Sequence, residues 1–234
     1  MVMKLERVVP FGRSMDEYRK MFALSDQDID RKIIGVGDGP ASFNAEMSAL
    51  GKSVISVDPL YVFSAAEIEK QFYSVLDNII AQVKATPGDW VWSYHRSPEH
   101  LQENRVKVLN AFTADYENAR TQGRYVVGEL PALDFEGKRF GLALCSHFLF
   151  LYSNQLPYEF HRAAVLEMLR IAPEVRIFPL LTLTLNVSSY VQPLIDELQT
   201  HGYSVNIEKV DYELQRGGNK MLRIQGLDSK AHCA

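Results

Sequence analysis

The sequence predicts an α/β chain: a doubly wound, mostly parallel sheet that ends in an antiparallel pair of strands. Three observations carry this. Short apolar runs alternate with helix-length amphipathic stretches along most of the chain. The stretch from Lys32 to Pro59 reads as strand, glycine turn, helix and strand, the pattern of a right-handed crossover between parallel strands. The last two strand candidates have no helix between them, so they pair antiparallel at one end of the sheet.

Taken in order, residues 13–24 form the first helix. Ser14 is its N-cap and Glu17, three residues on, completes a capping box. Met15, Tyr18, Met21 and Phe22 supply its apolar side, and Asp26–Asp30 reads as a polar connector. Lys32–Val36 is a strand that runs into Gly35-Val36-Gly37-Asp38-Gly39-Pro40. A helix follows from Ala41 to Leu50 and stops at Gly51, as helices commonly do. Ser53–Asp58 is β-branched and short, a buried strand. Ser64–Lys84 has apolar residues at helical spacing, and Thr86-Pro87-Gly88-Asp89 breaks it. The aromatic and charged stretch 90–124 holds one or two more helices. Strands are then expected at Tyr125–Val127, Phe140–Ser146, Val175–Leu181, Tyr203–Val210 and Lys220–Ile224. Helices are expected at Pro157–Ile171 and Val191–His201. The whole, 1–234, reads as a single domain with a helical insert or lid at about 60–124.

Composition excludes several classes. The 234 residues are 47% hydrophobic and 23% charged, which rules out global disorder and low complexity. Two cysteines, Cys145 and Cys233, cannot make a disulfide scaffold and read as free thiols of a reducing cytoplasm. A net charge of −4 does not favour a dedicated nucleic-acid binder. Neither a signal peptide nor a membrane span is expected, because the longest apolar stretches, Phe140–Tyr152 and Ile177–Val187, are too short.

The chemistry-bearing pattern is Gly35-x-Gly37-x-Gly39 at a strand end, with Asp58 closing the next strand. Glycines turn the backbone tightly and let a ligand approach it. The helix behind them presents free N–H groups. A carboxylate on the neighbouring strand tip accepts hydrogen bonds from ribose hydroxyls. The dinucleotide fingerprint wants a sixth-position glycine, and Pro40 stands there, which argues against a nicotinamide oxidoreductase.

The Gly-x-Gly-x-Gly loop followed by Asp58 resembles motif I and its following acid in class I S-adenosylmethionine-dependent methyltransferases. The resemblance covers nearly the whole chain and implies a Rossmann-like, seven-stranded sheet with a terminal antiparallel pair. It implies S-adenosyl-L-methionine as cofactor, with Gly35, Gly37 and Gly39 passing its methionine part and Asp58 on its ribose. Glu129 and Leu130 would frame the adenine, and Ser146, His147 and Phe148 would face the transferring methyl. Arg13, in the N-terminal helix region, would pair with the methionine carboxylate. One departure stands out: the family's acid two residues before the first glycine is Ile33 here. Asp38 or backbone carbonyls would then anchor the amino group.

On the acceptor side, His147 is the catalytic candidate, because imidazole is tunable near neutral pH. The plain alternative is a packed histidine among Phe148, Leu149 and Phe150. Trp92, Tyr94, His95 and Arg96 are candidate substrate-binding residues of the insert, against an aromatic packing surface. His95, Glu99 and His100 lack cysteine partners, so no metal is expected. The expected function is methyl transfer to a small-molecule acceptor. Three alternatives stay open: a non-catalytic cofactor-binding relative, an RNA methyltransferase using Arg105, Lys107, Arg120 and Arg124, and the oxidoreductase.

Overall fold

The computed structural model describes residues 9–226. Its sheet has seven strands: β1 (Ile33–Val36), β2 (Val54–Val57), β3 (Tyr125–Val126), β4 (Leu142–Ser146), β5 (Glu174–Phe178), β6 (Ser204–Lys209) and β7 (Lys220–Gln225). Their order across the sheet is β3-β2-β1-β4-β5-β7-β6. The pairs among β1 to β5 are parallel, while β7 runs antiparallel to both β5 and β6. This is the Rossmann-like, doubly wound sheet with a terminal antiparallel pair that the alternation and the glycine-loop resemblance implied.

Among the described residues seven α-helices flank it: α1 (Met15–Met21), α2 (Asp26–Ile29), α3 (Phe43–Ala49), α4 (Ala65–Ala85), α5 (Pro98–Thr121), α6 (Tyr158–Ile171) and α7 (Val191–Thr200). The sheet separates two cores. Alternate residues of β1 point to opposite faces, so Ile33 joins one core with α1, α3, α4 and α5, and Ile34 joins the other with α6 and α7. Covering both faces is what allows the central strands to be continuously apolar.

One local expectation changes, and another is narrowed. Residues 26–30 are not a plain connector: Ser25 and Asp28 form a second capping box and start α2. The stretch 90–124 holds one long helix, α5, preceded by an irregular segment that packs inward. Cys145 is a buried free thiol, and Cys233 lies outside the described residues. No helix among the described residues is long and apolar enough to cross a membrane.

Candidate active site

The ends of β1 and β4 lie side by side at the point where the strand order reverses, the place where open α/β sheets leave a crevice. A cavity of about 450 Å³ opens there. It is lined after β1 by Gly37, Asp38 and Gly39, after β2 by Asp58, Pro59 and Leu60, and after β3 by Gly128, Glu129 and Leu130. Ser146, His147 and Phe148 line it after β4, and Arg13 reaches it from the segment before α1. Most of the residues proposed for the cofactor thus line one cavity. Gly35 is set back at the end of β1.

The glycine loop has a specific internal architecture. Gly37 and Gly39 have φ of +68° and +53°, in the left-handed region that side chains disfavour. The Asp38 side chain between them folds back beneath Gly35, where a Cβ would lie 1.9 Å from its Oδ2. That carboxylate cannot step aside, because Tyr18 and Ser56 each donate a hydroxyl hydrogen bond to it at 2.6 Å. Burial pushes the Asp38 carboxyl up to about 6 against the pull of these two donors, and Asp58 nearby adds to the rise. Ile33, where the resemblance leads one to look for an acid, is instead fully buried in the core. Asp38 brings a carboxylate to the same loop from the other end.

Asp58 ties the loop to the second strand. Its Oδ2 accepts from the Gly39 N–H at 2.8 Å and its Oδ1 from the Leu60 N–H at 2.8 Å. Tyr61 donates its hydroxyl to the Gly39 carbonyl at 2.8 Å. Burial raises the Asp58 carboxyl despite the two amide donors.

His147 follows β4 directly with φ +51°. Its Nδ1 lies 2.9 Å from Ser146 Oγ, and its ring meets Phe178 edge-on. Burial, with the Arg13 and Arg105 cations nearby, holds its pKa well below the ordinary imidazole value, so the ring is neutral at pH 7. It therefore offers a hydrogen-bonding nitrogen and little strength as a base.

Arg13 stands between cations and carbonyls. Its Nη1 donates to the Phe11 and Gly12 carbonyls, and its buried Nε has no partner. Burial and the neighbouring Arg105 lower its pKa to about 10. Among the described residues its guanidinium has no carboxylate within ion-pair distance.

Trp92, Tyr94, His95 and Arg96 line neither this cavity nor the smaller one beside it. They pack against neighbouring elements instead. His95 is fully buried, with its Nε2 3.1 Å from Tyr212 Oη and 3.2 Å from Glu17 Oε1. Tyr94 donates its hydroxyl to Asp16, Trp92 rests on the core, and Arg96 sits at φ +65° in the turn before α5. The segment ties the α4–α5 pair to the connection between β6 and β7, where Val91 donates its N–H to Leu214.

The residues that sequence reasoning missed form a buried cluster behind Arg13. Arg105 grips Glu17 with both terminal nitrogens, at 2.8 and 2.6 Å, and Tyr212 donates to the same carboxylate at 2.9 Å. Burial alone would raise the Glu17 carboxyl, but the Arg105 guanidinium outweighs it and holds the pKa well below the ordinary value. Glu17 was legible only as a capping residue, and Arg105 only as one of four insert cations. Arg105 is 1% exposed, and Arg124 pairs with Asp115, so both are engaged internally. The positive face expected of an RNA methyltransferase loses those two contributors. Among the described residues no cluster of histidines, cysteines and acids could hold a metal ion.

Uncharacterized protein MJ0045 of Methanocaldococcus jannaschii is 33% identical over 224 residues, spanning 95% of this chain and 98% of that protein. The chain belongs to that family. No protein-family model matches it. Among solved structures, magnesium protoporphyrin IX methyltransferase from Synechocystis PCC 6803, with bound SAH, is 12% identical with a TM-score of 0.47. It covers 91% of this chain and 81% of its own. A SAM-dependent methyltransferase from Methanosarcina mazei is 13% identical with a TM-score of 0.43, covering 85% and 93%. The likeness is loose, and the fold assignment rests on the strand order itself.

Proposed function

We propose that this chain is an S-adenosyl-L-methionine-dependent methyltransferase acting on a small-molecule acceptor. The observation that carries the reading is the Gly37-Asp38-Gly39 loop locked to Asp58 at the mouth of a cavity of about 450 Å³, within the range of small-ligand sites. The residues present suit the cofactor's functional groups. Asp58 is placed on the strand tip for the ribose hydroxyls, and Glu129 and Leu130 flank the adenine end. Asp38 supplies the carboxylate for the amino group that position 33 lacks. Arg13 takes the carboxylate, which accounts for its unpaired Nε. When bound, S-adenosyl-L-methionine supplies a sulfonium methyl for a nucleophilic acceptor. The chain's own contribution is positioning, with neutral His147 orienting the acceptor atom by a hydrogen bond beside Ser146.

A second reading, a cofactor-binding relative without catalysis, draws on Ile33 and on the weak basicity of His147. Both readings require cofactor binding. A ligand that binds the folded chain raises its melting temperature. S-adenosylhomocysteine should therefore raise the melting temperature of the wild type and fail to do so for Asp58→Ala. An unchanged melting temperature of the wild type at millimolar ligand contradicts both readings.

A further inference from the structure

A smaller cavity of about 90 Å³ adjoins the first, and the two share Val9, Phe11, Arg13 and His147 as walls. Its remaining lining comes largely from α4, α5 and the loops beyond β4, β5 and β6. Ile79, Val83, Leu101, Leu151, Leu183 and Leu214 are all buried and all apolar. It is smaller than the ~150 Å³ apolar cavity that admits benzene, so it suits a short aliphatic chain better than a ring.

Charge at the junction of the two cavities limits what the smaller one takes. Arg13 and Arg105 both line this cavity. Glu17 neutralises Arg105 through two hydrogen bonds. Arg13 has no carboxylate at ion-pair distance among the described residues, and its buried Nε is unpartnered. The junction therefore carries one uncompensated positive charge. An apolar body pressed against a cation without a counter-charge is disfavoured, and a second charge brought in after the first is paired would itself be unpaired.

We infer that the smaller cavity is the acceptor subsite, that it takes a short uncharged aliphatic molecule with its nucleophilic atom at His147, and that it fills after an anionic group has been placed on Arg13 from the larger cavity. This rests on the cofactor reading above, in which that anion is the cofactor's carboxylate. Binding is then ordered, cofactor before acceptor, and the two ligands strengthen one another by the same factor.

The test uses two probes with one carbon skeleton, 3-methylbutan-1-ol and 3-methylbutanoate. Each is titrated into the full chain by ligand-observed NMR, with and without saturating S-adenosylhomocysteine. The alcohol is expected to bind at least tenfold more tightly with S-adenosylhomocysteine present, and the carboxylate to gain nothing from it. Arg13→Met should abolish the order, letting the alcohol bind equally in both conditions. Leu183→Phe should fill the cavity and weaken the alcohol at least tenfold while leaving S-adenosylhomocysteine affinity within twofold. Should that variant fail to fold, Ile79→Ala enlarges the same space and should admit 2-phenylethanol. Alcohol binding indifferent to S-adenosylhomocysteine, or carboxylate binding enhanced by it, overturns the inference alone. Failure of S-adenosylhomocysteine itself to bind removes the cofactor reading and the inference together.

Discussion

Tyr18 donates its hydroxyl to Asp38 Oδ1 at 2.6 Å, joining helix α1 to the glycine loop through a fully buried hydrogen bond. The Tyr18 ring also stacks on Phe43 at the start of α3, with centroids 4.2 Å apart. The N-terminal helix is thereby part of the loop's support, and the loop carboxylate is held in an apolar surrounding at a cost.

That cost has a pH signature. The folded pKa of Asp38, about 6, lies above its unfolded value of 3.8, so the native state binds the extra proton between them. The stabilisation belongs to the protonated form: it is full below about pH 4 and lost as pH rises through about 6. Asp38→Asn should flatten this part of the profile and be more stable than wild type at pH 7 by roughly 1–3 kcal/mol. Urea unfolding of both proteins at pH 4.5 and 7.5 measures it. A wild-type advantage that grows with pH would contradict the burial argument.

Gly35 and Asp38 should behave as one unit. Gly35→Ala places a Cβ where the Asp38 carboxylate lies, and that carboxylate is pinned by two hydroxyls. The single substitution should destabilise by about 1–3 kcal/mol. Gly35→Ala with Asp38→Ala relieves the overlap, and the pair should be non-additive in a thermodynamic cycle.

Asp58 should separate into two roles by substitution. Asp58→Ala removes both backbone caps, at Gly39 and Leu60, and should cost about 1–2 kcal/mol of stability. Asp58→Asn keeps one carbonyl acceptor and should cost less. Both should weaken S-adenosylhomocysteine at least tenfold. Paired denaturation and binding measurements check the split.

Breaking the Glu17–Arg105 pair should be more damaging than removing it. Glu17→Gln leaves a 1% exposed guanidinium without its counter-charge, an expected loss of about 3–5 kcal/mol. The double variant Glu17→Gln with Arg105→Met should recover a substantial part of that loss. Chemical denaturation of the three variants decides it.

How much of this was legible depended on the range of the interaction. Short β-branched runs, the turn glycines and Ser14 with Glu17 are local signals, so the strands, the loop and the first helix could be read. Ser25 with Asp28 is the same capping signature, but the acids around it made the stretch read as a connector rather than as α2. The Glu17–Arg105 pair spans 88 residues, and no local pattern announces such a partner. Nor does sequence say which way an aromatic segment turns: Trp92, Tyr94 and His95 are drawn inward by the core and by Tyr212. Asp38 was one of two sources considered for an anchoring group. That it folds beneath Gly35 has no local signature, because that geometry depends on Tyr18 and Ser56 from two other elements.

The central claim is that the cavity bounded by the glycine loop and Asp58 is built for S-adenosyl-L-methionine. Calorimetric titration of the full chain with S-adenosylhomocysteine, alongside NAD under the same conditions, tests it most directly. Saturable one-to-one binding of S-adenosylhomocysteine with no heat from NAD is the predicted result. Binding of NAD alone, or of neither ligand to well-folded protein, would contradict it.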